Sequence, residues 1–244
     1  MRETINGADL RRMIISAAAA IEINKQALNE LNVFPVPDGD TGTNMSMTIN
    51  SAASDLRKTE DPDLEKASKV AASAMLRGAR GNSGVILSLL FRGIARRLKG
   101  TETAGPVEFS GAMADGVDAA YKAVMKPAEG TILTVSRLAS AAATEAAAAG
   151  ATLENCLVCA LKAGEEALED TVNLNPVLKK AGVVDAGGKG YLIILSAMLA
   201  SLRGEVSAPA QASQVAAAPE TAFEVFDTED ITFAFDTGFI VRKS

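Results

Sequence analysis

The chain of 244 residues contains no histidine and no tryptophan. Without histidine it lacks the commonest general base, every metal site that depends on imidazole, and any phosphohistidine carrier. Aromatic residues make up only 4%, so a core has to be built from Ala, Leu, Ile, Val and Met, whose small members let helices approach closely. Two cysteines, Cys156 and Cys159, are too few for a disulfide framework, and their C-x-x-C spacing has no second pair to complete a zinc site. Inside an Ala-rich helix both are expected as small core residues. No apolar run reaches the length of about 18 residues that spans a bilayer, so no transmembrane segment is expected. Arg11 and Arg12 ahead of residues 13–21 imitate a secretory signal, but the apolar positions continue in helical period through Ile23, Ala27, Leu28 and Leu31. The chain therefore reads as cytoplasmic. A net charge of −6 and a sequence pI near 4.9, with no basic stripe carrying interleaved aromatics, argue against nucleic-acid binding.

What is present is helical pattern. Apolar positions 10, 13, 14, 17, 18, 21, 28 and 31 follow a 3.6 period and predict a first helix over residues 7–31. Further helices are expected from about 43 to 56, from Asp63 to Gly78, through the apolar run beginning at Val85, from Pro106 to about Met125, and through the Ala-rich stretch that Gly150 stops. Thr152 caps another that reaches about Asp170, residues 176–181 form a short piece, and Tyr191 to Leu202 the last. Helices of this length joined by short loops imply antiparallel neighbours. The expected fold is all-α, an up-and-down barrel or bundle of eight or nine helices over residues 1–203. Residues 204–222, rich in Ala, Pro, Ser and Gln, read as a flexible linker. Residues 223–244 have strand character and read as the start of a second, β-containing domain.

The breaks between helices carry the chemistry. Residues 32–45 read NVFPVPDGDTGTNM. Pro35 and Pro37 deny the backbone a helix, and Asp38, Gly39 and Asp40 place two carboxylates around a residue with no side chain. Such a turn suits magnesium, which is held by one or two carboxylates together with waters and substrate phosphates. Thr41, Gly42, Thr43 and Asn44 then supply small polar groups and free N–H donors at a helix start, where phosphate is favoured. A plain polar turn explains the same residues, whereas an EF-hand does not, because the ligands at its fifth and twelfth positions are missing.

Three later breaks have similar character. Gly81, Asn82, Ser83 and Gly84 either cradle a phosphate or simply join two helices. Gly130 and Thr131 cap a helix, with or without a nucleotide against it. Asp185, Gly187 and Gly188 either close over a ligand or turn the chain, and the surroundings of Lys189 lack the spacing of a P-loop. If these breaks share one end of the bundle, they converge on a single mouth.

NVFPVPDGDTGTNM, RGNSGVILS, YKAVMKPAEGTILTV and PVLKKAGVVDAGGKG together resemble the nucleotide-binding domain at the N-terminus of bacterial fatty acid kinase, in the dihydroxyacetone kinase L-subunit superfamily. The resemblance covers about residues 5–203, with four motifs in order. It implies an eight-helix barrel holding ATP or ADP and two magnesium ions at one end. Asp38 and Asp40 would be the catalytic, metal-holding pair, with Asn32 at the position of the superfamily's third metal aspartate. Thr41, Gly42, Thr43, Asn44, Asn82 and Ser83 would hold the phosphates, Thr131 and Ile132 would sit near the adenine, and Asp185, Ala186 and Gly187 would close the site.

The implied activity is transfer of the γ-phosphate of ATP to the carboxylate of a fatty acid, a step in phospholipid metabolism. The acyl substrate comes on a fatty-acid-binding partner protein, and a homodimer is admitted. The absence of histidine is compatible with this reaction, because a carboxylate is already ionised at pH 7 and needs no base. Two other readings stay open: a dihydroxyacetone-type kinase L subunit, and a nucleotide-binding interaction module without turnover. The second is attractive because the downstream domains of the fatty acid kinase are absent here, which would leave the isolated chain inactive.

Overall fold

The apolar stripe expected at the start of the chain forms α1, Gly7–Glu30, whose Leu10, Met13, Ile14, Ala17, Ala18, Ile21 and Leu28 are all buried. Asn6 starts it with a reciprocal capping box to Asp9. The computed structural model describes residues 3–205. Within them the chain continues as α2 Thr41–Arg57, α3 Leu64–Gly78, α4 Gly81–Arg97, α5 Pro106–Ala123, α6 Ile132–Ala148, α7 Leu153–Leu174, α8 Pro176–Ala181 and α9 Ala186–Arg203. Among the described residues there is no strand, only a bridge between Ile5 and Ala104. The expected linker and the expected strands of residues 223–244 lie outside the described residues.

Each long helix packs on the next, α9 packs on α7 and on α1, and the eight long helices thereby close into a ring, with the six-residue α8 attached to α7. Because the turns between them are short, successive long helices alternate in direction. The starts of α2, α4, α6 and α9 share one end of the bundle, and the Ile5–Ala104 bridge ties the other.

Three helix starts differ from expectation, the last for a reason of packing. Helix α2 begins at Thr41, and α4 at Gly81 rather than after Gly84, so the polar residues of both breaks lie in first helical turns. Residues 186–190, expected as a glycine-rich connection, are the first five residues of α9. Their glycines serve proximity. A Cβ on Gly188 would stand 2.8 Å from Val135 Cγ2, and one on Gly190 2.6 Å from Met45 Sδ. Helix α9 can lie against α6 and α2 only because those side chains are missing. The cysteine expectation is half corrected: Cys156 is buried, but Cys159, three residues on, is exposed, because α7 turns that position away from the core.

Candidate functional site

The loop between α1 and α2 is organised by two amides. Asn32 is only 5% exposed, and its Oδ1 accepts from the Thr41 N–H at 3.1 Å and from the Thr41 hydroxyl. Its Nδ2 donates to the Val36 carbonyl at 2.6 Å. Asn29, one turn earlier, accepts the Thr43 N–H at 3.0 Å and donates to Thr43 Oγ1 at 3.0 Å. The end of α1 thus caps the start of α2, where orphan N–H groups need acceptors. Asp40, which occupies the N-cap position, makes no capping bond with its side chain.

That division of labour leaves both carboxylates of the turn available. Gly39, at φ +66°, reverses the chain between them in a conformation other residues avoid. Asp38 is exposed and Asp40 half-buried. Partial burial, then a side-chain hydrogen bond and charge repulsion from Asp40, raise the Asp38 pKa above the ordinary carboxylate value. A divalent cation beside the pair would relieve the repulsion that Asp40 exerts on Asp38. No cluster of three or more acidic or cysteine side chains able to hold a metal occurs among the described residues. A cation at this pair would therefore complete its oxygen shell from water or phosphate.

Helix α4 starts beside α2. Gly81 has φ +55°, and a Cβ there would come 2.2 Å from Asn44 Nδ2, so the α4 start rests on the Asn44 side chain. One turn further in, Thr48 Oγ1 accepts the Arg80 N–H at 3.3 Å. Like α2, α4 has no capping side chain of its own. Its first turn carries Asn82, exposed, and Ser83, half-buried.

Thr131, Ile132, Asp185, Ala186 and Gly187 are instead buried and form the joint between α6 and α9. Thr131 caps α6 through the Leu133 N–H at 3.4 Å. The Asp185 carboxylate accepts from the Gly188 N–H at 2.7 Å and from the Ile132 backbone N–H, so one carboxylate caps both helices. Burial pushes its pKa up to about 6 against those two hydrogen bonds.

A group that the sequence reading passed over fixes the approach to this joint. Glu129 accepts from the Tyr121 hydroxyl at 3.0 Å, from Thr134 Oγ1 at 2.7 Å and from Arg137 at 2.9 Å. Burial would raise the Glu129 pKa, but those three donors outweigh it and lower it. Glu129, Thr134 and Arg137 stand within two turns of one another in sequence, which is a legible signal. Tyr121 comes from α5 and is not.

The predicted residues therefore gather at one end of the bundle in two parts. The α1–α2 turn and the α2 and α4 starts present Asp38, Asp40, Thr43, Asn82 and Ser83 toward the surface, while Thr41, Gly42 and Asn44 beneath them are buried, as is the α6–α9 joint. Met45 and Leu28 against Gly190 link the two parts one turn below the surface. Two surface cavities, of about 420 Å³ and about 610 Å³, lie elsewhere and contain none of the predicted residues.

Residues 35–200 match the DAK2 domain, a stretch that runs from the turn carrying Asp38 and Asp40 to the last turns of α9. The chain belongs to the DAK2 domain family. This is the assignment to which the four motifs led. Relatives include Protein YloV of Bacillus subtilis, 42% identical over 98% of this chain and 44% of its own length. A protein of Staphylococcus epidermidis is 40% identical over 99% of this chain and 45% of its own. The DAK2 chain described here thus spans less than half the length of these curated relatives. In fold it is similar to the dihydroxyacetone kinase of C. freundii, whose crystal structure is in complex with AMP-PNP and Mg2+. That match has a TM-score of 0.61 at 19% identity and covers 80% of this chain and 34% of the other. The native form of the same kinase gives a TM-score of 0.60. The DAK2 bundle therefore shares its helical fold with part of that protein. No described helix is long and apolar enough to cross a membrane.

Proposed function

We infer that this chain is the nucleotide-binding domain of an ATP-dependent phosphotransferase whose acceptor is the carboxylate of a fatty acid carried by a partner protein. The observation that supports it best is the pair of carboxylates in repulsion at the α2 start, beside the start of α4, a helix without a capping side chain. Phosphate is stabilised at such helix starts, and magnesium joins phosphate oxygens to one or two carboxylates. The likeness to a kinase crystallised with AMP-PNP and Mg2+ agrees with that chemistry.

In this reading Asp38 and Asp40 hold the metal, and the first-turn groups of residues 41–44, with Asn82 and Ser83, orient the phosphates. Asn32 and Asn29 keep the loop in place through the bonds already described. Bound magnesium would neutralise charge on the transferring phosphoryl group. The acyl carboxylate oxygen forms a bond to the γ-phosphorus as the bond to ADP breaks, giving an acyl phosphate. An acceptor already ionised at pH 7 needs no base from a chain without histidine. The α6–α9 joint, with Thr131, Ile132 and residues 185–187, forms the wall toward the adenine. An intracellular enzyme feeding phospholipid synthesis, working as part of a longer protein and admitting a homodimer, is consistent with this assignment.

Calorimetry of ATP with and without magnesium tests the reading. Binding should depend on magnesium and be lost in Asp38→Ala and Asp40→Ala without a change in helical content. Magnesium-independent binding that survives both substitutions refutes the metal assignment. Phosphate transfer to an acyl-loaded carrier rather than to dihydroxyacetone separates the fatty acid reading from its nearest alternative. Binding without transfer to either supports an interaction module.

A further inference from the structure

Away from the mouth, α3, α4 and α5 enclose an open groove of about 420 Å³. Lys69 of α3 and Arg92, Arg96 and Lys99 of the α4 region line it, over a floor that includes the buried Ala72 and Ala119. The lining holds one carboxylate against these four cations, Glu65, one turn before Lys69 on α3, and its Oε2 accepts the Gly100 N–H at 2.8 Å. Among the described residues none of the four cations makes an ion pair. Arg12, Arg77, Arg97, Arg137 and Arg203 each have a carboxylate partner.

On a chain of net charge −6 this concentration of cations is not what overall composition provides. Helix polarity does not account for it either. Arg96 stands in the last turn of α4, where a cation suits the macrodipole, but Lys69 and Arg92 lie outside the end turns to which that effect is confined. Arg92 and Arg96 stand at i and i+4 on one face of α4, an arrangement of like charges that is mildly destabilising, and Lys99 follows in the turn after the helix. A bound anion relieves that repulsion. The floor, by contrast, is made of small apolar side chains, and the volume lies within the range of small-molecule sites.

We propose that the α3–α4–α5 groove binds an amphiphilic anion, its phosphate or carboxylate head between Lys69, Arg92, Arg96 and Lys99 and its apolar body over Ala72 and Ala119. The head is recognised by charge-assisted hydrogen bonds, for which guanidinium groups offer paired donors. The body is recognised by removal of apolar surface from water. Neither element requires the nucleotide site, so this proposal stands or falls independently of the function inferred above.

The test is an NMR titration of the full chain with decyl phosphate below its micelle concentration, with inorganic phosphate and decanol as partial ligands. A flotation assay with phosphatidylglycerol and phosphatidylcholine vesicles runs in parallel. Decyl phosphate should shift the amides of residues 69–73, 92–99 and 119. It should bind at least tenfold more tightly than inorganic phosphate or decanol, and at least tenfold more weakly to the Arg92→Ala, Arg96→Ala double variant. A Lys58→Ala, Lys162→Ala variant, which removes the same charge elsewhere, should bind like the original. Flotation with phosphatidylglycerol that the double variant loses identifies the head as a lipid headgroup. Binding of decyl phosphate without flotation identifies a soluble ligand, and either result supports the site. Unchanged affinity in the double variant overturns the proposal. So do shifts confined to the mouth, no binding of either probe, or an oligonucleotide outcompeting the amphiphile at these residues.

Discussion

Replacing Asp185 by asparagine should change how stability depends on pH, by an amount the site geometry sets. Asp185 is 6% exposed, and its carboxyl is displaced from 3.8 to about 6 by burial. The folded state therefore holds a proton that the unfolded chain releases anywhere between those values. For such a group the stabilising contribution is complete below the unfolded pKa and is lost as pH rises through the folded one. A displacement of this size corresponds to about 3 kcal/mol in full, of which about 2 kcal/mol falls between pH 4.5 and pH 7.5 by the same linkage.

In the Asp185→Asn variant the amide would keep an oxygen to accept from the Gly188 N–H but would not ionise. Any loss from the weakened second bond, to the Ile132 N–H, is independent of pH and cancels when the two pH values are compared. Urea unfolding of both proteins at pH 4.5 and pH 7.5 measures the difference. On moving to pH 7.5, the variant should gain about 2 kcal/mol relative to the original protein. Parallel pH profiles for the two proteins would refute the reasoning, since they would mean that the buried carboxyl stays ionised throughout the window.

Two further substitutions probe the mouth. Asn32→Asp removes the donor that satisfies the Val36 carbonyl and sets a charge against it, so metal-free stability should fall by about 1–3 kcal/mol; an unchanged urea midpoint would show that the bond is not needed. Gly81→Ala forces a side chain into a left-handed backbone at φ +55° and against Asn44 Nδ2. Its cost should be about 2 kcal/mol, with NMR shifts at the α2 start; a neutral thermal melt would mean that α4 can begin without touching Asn44.

The long helices were legible because their signals are local. The stripe of α1, the Asp63 cap of α3 and the Thr152 cap of α7 all act within one or two turns of the residues that carry them. The glycine runs misled about boundaries for an equally physical reason. Glycine lowers helix propensity, so GVVDAGGKG reads as a break, yet at 187, 188 and 190 it meets a demand for proximity to Ile132, Val135 and Met45. That demand exists only once distant helices are side by side. The same limit applied at the site. The motif residues could be named from contiguous runs, but not the division between an accessible edge and a packed joint, nor the bond of Asn29 to Thr43 across 14 residues.

The three aspartates at this end of the bundle show how environment decides what a carboxylate can do. A helix start attracts an acidic side chain as a cap, and Asp185 is consumed in that way, capping two helices at once from a buried position. Asp40 stands at an equivalent place and would have been consumed likewise. Asn29 takes the Thr43 N–H that an N-cap carboxylate would accept, Asn32 takes the Thr41 N–H, and so Asp40 remains beside Asp38 and outside the cap. Both Asp38 and Asp185 are shifted upward, first by burial, but only Asp38 owes part of its shift to a like-charged neighbour. The like-charge part of the Asp38 shift would yield to a nearby positive charge, whereas the shift at Asp185 is built into the packing of α6 on α9. Two amides at the end of α1 are what keep the Asp38–Asp40 pair out of the kind of helix cap that consumes Asp185.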